Sequence, residues 1–244
     1  MKIGTQRIIE NVRQDLKVNV DEKYKCAVKR FFKEKITCYG ARTPIVRKIA
    51  KKYFRDVKNF DKKEIFNLSE QLLKSNYGEE STIAIEWIFG IKDRLTKTDF
   101  NIFEKWLKKY INNWGKDDDF CAHIIHHMIV RYPELVAKVK LWATSKNQWV
   151  RRASAVSFIK TLGYCHTTKH NLDDIFDIAK ILLYDEKDLV QKGYGWMLKS
   201  ASVHHQKEVF DFVMIYKKNM PRTALRYAIE KMPKHLKNKA MDKD

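Results

Sequence analysis

The sequence predicts an all-α fold, on three observations. Eight Gly and four Pro among 244 residues make up roughly 5%, against a usual share nearer 12%, too few turn-formers for a sandwich or barrel. Apolar residues recur at intervals of three and four, the period of one helix face, and not at two. A hydrophobic content of 44% provides for a packed core and excludes a disordered chain.

The elements follow in order. Ile9, Val12 and Leu16 mark a first helix, and Tyr24, Ala27, Val28 and Phe31 a second. A third opens at Thr43, read as its N-cap, with Pro44 at the first helical position and Ile45, Ile49 and Tyr53 behind it. Pro133, Pro221 and Pro233 repeat this start signal, so all four prolines fall where a missing N–H costs nothing. Brief connectors such as 75–78 and 166–171 separate roughly thirteen short helices. Trp149-Val150-Arg151-Arg152-Ala153 recurs 40 residues later as Leu189-Val190-Gln191-Lys192-Gly193, each after a polar connector and each opening an amphipathic helix. Two helices per period of this length match a HEAT-like α-α superhelical solenoid, here of about six helical pairs, with an open concave face. No linker rich in Pro, Gly or Ser divides the chain, so residues 1–244 read as a single domain.

Charge narrows the partners. Forty-nine Lys and Arg against thirty Asp and Glu give a formal net charge of +19. Self-repulsion of that size is offset by a polyanion, nucleic acid before an anionic membrane surface or an acidic protein. The bland alternative is a lysine-rich composition with no such partner. Cys26, Cys38, Cys121 and Cys165 form no CxxC pair, so neither a structural zinc site nor a disulfide framework is indicated. The polar amino terminus is unlike a signal peptide, and no apolar run approaches the ~20 residues of a membrane span. The chain therefore reads as intracellular, with no membrane contact and no cofactor, and as a monomer.

Three segments carry candidate chemistry: Asn112-Asn113-Trp114-Gly115-Lys116-Asp117-Asp118-Asp119, then Asn147-Gln148-Trp149-Val150-Arg151-Arg152-Ala153, then Gln191-Lys192-Gly193-Tyr194-Gly195-Trp196. Trp114 and Asp118 are four apart and share a helix face. Thirty-eight residues separate Trp114 from Arg152, and 44 separate Arg152 from Trp196. These steps are near one repeat and would bring the four residues to one stretch of the concave surface. Each also has a plainer reading: a Trp in the core, aspartates serving a helix start, an Arg paired with a carboxylate. Asp119, His123 and His127 step along one helix beside His126, but without HExxH or nearby Cys pairs this is a weak metal signal. His166, His170, His204 and His205 read as surface residues.

Taken together, N-N-W-x-x-x-D, the Tyr132-Pro133-Glu134-Leu135 segment, S-x-N-x-W-V-R-R-A and Q-K-x-x-G-W resemble the AlkD-type alkylpurine DNA glycosylases, from about Phe31 to Met232. The resemblance implies Asp118 as the catalytic carboxylate, Trp114 and Trp196 as the lesion-side indoles, and Arg152 as a holder of backbone phosphate. One position departs: nine residues before Gly40, where the family carries Tyr, this chain has Phe31, which keeps the ring and loses the hydroxyl. The implied activity is monofunctional excision of cationic N7- or N3-alkylated purines from duplex DNA, at a site shallower than a deep base-flipping pocket. Two rivals stand beside it: a HEAT-like DNA-binding protein without catalysis, and a solenoid that binds acidic proteins.

Overall fold

A computed structural model of the chain describes residues 3–159 and 172–242, with side chains from residue 6 onward. Cys165, His166, His170 and the connector 166–171 lie outside the described residues. The helices are α1 (Ile3–Val18), α2 (Glu22–Phe31), α3 (Thr43–Val57), α4 (Lys62–Lys74), α5 (Gly78–Gly90), α6 (Phe100–Tyr110), α7 (Trp114–Phe120), α8 (His126–Arg131), α9 (Val136–Trp142), α10 (Gln148–Val156), α11 (Leu172–Ile181), α12 (Asp188–Ala201), α13 (Gln206–Tyr216), α14 (Arg222–Ala228) and α15 (Lys234–Met241). The fold class is all-α; among the described residues the only β-type pairing is an isolated bridge between Thr37 and Tyr77.

The chain divides into two compact units, Met1–Ile124 and Ile125–Asp244. In the first, α3, α5 and α7 pack in succession as one row, while α1, α4 and α6 form a second row behind them. The second unit repeats the scheme, with α10, α12 and α14 in one row and α9 and α11, then α13 and α15, in the other. Side-chain hydrogen bonds tie successive helices at separations of 37–40 residues: Tyr53 to Asp15, Trp87 to Ala50, Tyr110 to Glu70, Lys116 to Asn76 and, in the second unit, Arg152 to Leu189. This is the period read from the sequence, and α10 and α12 begin 40 residues apart, at Gln148 and Asp188. Trp87, Phe100, Phe103 and Phe120 are fully buried in the first unit and Tyr194 in the second. A side chain of Phe size contributes about 1.5–3 kcal/mol when so buried.

Glycine sets the closeness of one helix pair. A Cβ at Gly195 would stand 2.7 Å from the Ala224 carbonyl oxygen and 2.7 Å from the Tyr227 Cβ, so α12 and α14 meet closely because that position has no side chain. Gly193, one turn edge away, faces the Arg152 Cγ at 3.3 Å. The Gly-Tyr-Gly of the third motif is thereby accounted for: two glycines face neighbouring helices and Tyr194 is buried between them.

Some expectations change in detail. Helix α3 includes Thr43, and the extended residue before it is Arg42, which makes no side-chain cap; Pro44 keeps its place in the first turn. Pro133 opens a short 3₁₀ turn, whereas Pro221 and Pro233 occupy the N-cap positions of α14 and α15, one residue before the helix. Helix α2 forms as its apolar spacing predicts, yet none of its residues is buried. Its stripe of Tyr24, Val28 and Phe31 does not enter the core, so the periodicity gives the helix but not the depth of its packing.

Candidate active site

Helix α7 is short, and its start is determined by side chains. Asn113 is extended at the N-cap, and its Oδ1 accepts the Lys116 backbone N–H at 3.0 Å, which satisfies one orphan donor of the first turn. Lys116 lies buried behind it and donates from Nζ to the Asn76 carbonyl (3.0 Å), to Asn76 Oδ1 (2.6 Å) and to Asn112 Oδ1 (3.2 Å). Asn76 has a φ of 65°, a left-handed conformation that asparagine tolerates better than most residues, and its Oδ1 also accepts from Asn112 Nδ2 at 2.9 Å. One ammonium thus joins the loop between α4 and α5 to the start of α7. Because its acceptors are neutral, burial pushes the Lys116 amine down to about 8.

On this helix Trp114 and Asp118 are half-buried and one turn apart. Phe32 stacks on the Trp114 indole at 4.7 Å with 11° between planes. Phe31 stands near-perpendicular to it at 5.6 Å and 75°. Gly115 leaves room for this arrangement, since a Cβ there would meet Phe32 Cζ at 3.1 Å. Asp117 is fully buried and accepts from the Cys121 thiol at 3.9 Å, so of the three aspartates it belongs to the interior. Asp119 is turned to His123: Nδ1 lies 3.2 Å from Asp119 Oδ1 and 2.9 Å from its carbonyl. Burial opposes protonation of His123, but the Asp119 carboxylate and carbonyl outweigh it and raise the imidazole above its ordinary value. The row of Asp119 and His123 is therefore a hydrogen-bonded pair, while His126 is directed to the Ser157 carbonyl at 3.0 Å. After α7 the chain runs through a π-helical turn, Cys121–Ile125, a distortion that often accompanies functional sites.

The segment leading to α7's aromatic partners is held by a second buried node. Glu79, in the first turn of α5, accepts backbone N–H groups from Tyr39 (3.1 Å), Gly40 (2.7 Å) and Ala41 (3.2 Å). Glu80 takes the Tyr39 hydroxyl at 2.7 Å and a two-pronged contact from Arg13 at 3.1 Å. Gly40 itself has a φ of 100°, and a Cβ there would lie 2.6 Å from Lys25 Cβ. A cavity of about 200 Å³ lies under α2, walled by Val28 and Phe32 on one side and by Thr82, Gly115, Lys116 and Asp119 on the other.

The other two candidate residues, Arg152 and Trp196, lie in the second unit. Asn147 caps α10 by accepting the Trp149 N–H at 2.9 Å. Arg151 forks onto both oxygens of Asp185 and onto the Ser145 and Lys146 carbonyls, so it is structural. Arg152, expected to reach a phosphate, is only 4% exposed, and its Nη1 donates to the Leu189 carbonyl at the start of α12. Trp196, two turns along that helix, is half-buried. The first unit thus brings together Phe31, Trp114 and Asp118, and the second joins the helices that carry Arg152 and Trp196. Sequence reasoning missed Phe32 and Asn76, and it placed Asn113 and Lys116 inside the first motif without giving either a role. An Asn directly before a helix start is a legible cap signal, whereas the Lys116 contact depends on a loop 40 residues earlier.

No curated protein sequence matches the chain. Among solved structures, a predicted DNA alkylation repair enzyme from Enterococcus faecalis shares the fold, with a TM-score of 0.78 over 88% of this chain and 98% of that one, at 15% identity. A family model described as DNA alkylation repair enzyme matches residues 12–232, nearly the whole chain and all of the motif residues above. By that match the chain belongs to the DNA alkylation repair enzyme family.

Proposed function

We propose that the protein is a monofunctional alkylpurine DNA glycosylase of HEAT-like repeat architecture, acting on cationic N7- or N3-alkylated purines in duplex DNA. The observation that carries this reading is the pairing on α7 of a half-buried carboxylate, Asp118, with an indole one turn away whose ring is fixed by Phe31 and Phe32. Alkylation at N7 or N3 leaves the base cationic and already a good leaving group, so no general acid is required. What remains is to stabilise an oxocarbenium-like sugar and to place the attacking water, and one preorganised carboxylate serves both. Phe32 covers one indole face, and the remaining surface of Trp114 attracts the cationic nucleotide by ~0.5–2 kcal/mol. Within the second unit, Arg152 acts by fixing α12, on which Trp196 stands, instead of by reaching phosphate. The Lys116 amine near the site has its protons engaged by three acceptors, which supports hydrolysis over Schiff-base chemistry.

The test is single-turnover excision of 7-methylguanine from duplex DNA, with abasic sites revealed by alkali. Asp118→Asn should lower the rate by about 10²–10³, the scale for removing one preorganised electrostatic stabiliser, with DNA affinity unchanged or higher. Asp119→Asn is the control, because its side chain is engaged with His123; Asp117→Asn is unsuitable, since that residue is interior. Near wild-type excision by Asp118→Asn, or equal losses at Asp118 and Asp119, would remove the catalytic assignment. Binding of duplex DNA with no excision by the wild type would favour the non-catalytic DNA-binding reading.

A further inference from the structure

We propose that the groove between α4 and α6 is a docking site for an acidic protein segment that carries aliphatic side chains. This goes beyond the proposed function and depends neither on Asp118 nor on excision. The groove has a volume of about 690 Å³ and is walled by α4 and α6, together with Asp99 just before α6. Its lining contains no residue of α3, α5 or α7. It therefore opens on the second helix row of the first unit, and not on the row that carries Trp114 and Asp118. Phe66, Ile102 and Trp106 give it a mainly apolar floor. Phe66 and Trp106 pack edge to face at 5.7 Å and 61°, and both rings also contact Phe103, so the core of the unit holds that floor in place.

The charges around the floor specify the partner. Lys62, Lys63, Lys105, Lys108 and Lys109 stand around it, against two acids, Glu70 and Asp99. Both acids are already engaged. Asp99 accepts Lys62 Nζ and the Thr96 N–H, each at 2.7 Å, and Glu70 accepts the Tyr110 hydroxyl at 2.6 Å. Lys63 and Lys105 are exposed and form no ion pair among the described residues. The uncompensated charge is positive, and carboxylates of a partner would meet it. Nucleic acid would satisfy the charge as well, but the floor does not suit it. At 7%, 3% and 8% exposure, Phe66, Trp106 and Tyr110 have almost no ring face free for a base to stack on. The ammonium groups of Lys62 and Lys109 already stand over the Phe66 and Tyr110 rings, at 5.9 and 5.3 Å. An aliphatic side chain needs only the recess between the two helices, while acids on either side of it reach the lysines at the rim, whose stems stay on the apolar surface.

The test is fluorescence anisotropy of the full chain with a short labelled peptide in which Leu alternates with Asp and Glu. We expect saturable binding in the micromolar range that weakens as salt rises. A peptide with Asn and Gln in place of its acids, and one with Ser in place of its Leu, should each bind more weakly by on the order of tenfold. The double reversal Lys63→Glu with Lys105→Glu should weaken the acidic peptide by about tenfold or more. Ile102→Ser, at a half-buried position of the floor, should weaken it too, with circular dichroism showing the helices intact. Duplex DNA should bind the wild type and the double reversal to a similar extent. Absence of saturable peptide binding, equal binding of the neutral peptide, or undiminished binding by either variant would overturn the docking site. So would a loss of DNA binding by the double reversal as large as its loss of peptide, which would make the groove a nucleic-acid surface. Failure of the wild type to bind duplex DNA while it binds the acidic peptide would overturn the DNA reading and uphold the docking site.

Discussion

Lys116 shows how one residue can decide whether a short helix has a defined start. Its ammonium is buried, yet it is held by neutral acceptors from Asn76 and Asn112, so the folded state favours the neutral amine more than the unfolded chain does. With a folded value of about 8 and an unfolded value near 10.4, the unfolded chain binds more protons between these limits. This group therefore makes stability rise with pH through that window. We expect the denaturant midpoint of the wild type to climb relative to Lys116→Met from about pH 8 to pH 9.5. The comparison stops below the region where Tyr39 and Tyr110, both raised mainly by burial and then by a carboxylate partner, begin to titrate in the unfolded chain. Parallel midpoints across that range would show that the amine is solvated and that its contacts are not what fixes α7. The sequence showed Lys116 only as one cation among 49, because two of its three acceptors come from a loop 40 residues earlier.

At the scale of the element, α2 and α12 stand at opposite limits. Helix α2 is capped, with Asp21 accepting the Tyr24 N–H at 2.9 Å, and its apolar residues are spaced correctly, but it has no buried side chain. Its amides should consequently exchange faster than those of α5 or α12, since local opening there exposes little apolar surface. Helix α12 is enclosed by α10 and α14, and Gly195 sets its approach to the second of these. Gly195→Ala places a methyl 2.7 Å from a backbone carbonyl, and backbone cannot move aside as a side chain can. We expect a loss of about 1–3 kcal/mol, typical of overpacking, seen as a lower thermal midpoint. Gly193→Ala faces the flexible Arg152 chain at 3.3 Å and should cost less. If the two variants melt together with the wild type, the close helix contact is not what glycine serves here. Helix existence was legible in the sequence because periodicity is local; how deeply each helix packs was not, since that depends on what the neighbouring repeat presents.

For the molecule as a whole, a net charge of +19 makes the ionic-strength dependence of DNA binding the broadest test of the family assignment's biochemical meaning. With a slope of about −0.9 for each phosphate contact, even a few contacts weaken binding by about tenfold or more between 50 and 200 mM salt. A flat dependence would be incompatible with a surface that recognises a polyanion. The sequence by itself determined the helical class, the repeat near 40 residues, the cationic excess and the residue types of the candidate site, because periodicity, charge and motif order are properties of the chain read in one dimension. Only the tertiary structure decided that Phe32 covers one face of Trp114, that Phe31 stays outside, that Asp117 and Asp119 are engaged elsewhere, and that Arg152 is spent on the Leu189 carbonyl. The Phe32–Trp114 stack and the Arg152–Leu189 bond join segments far apart in the chain, and even Asp117 and Asp119, whose partners lie only four residues along, are assigned by which side of α7 the neighbouring helices cover, and that covering exists only once the chain has folded.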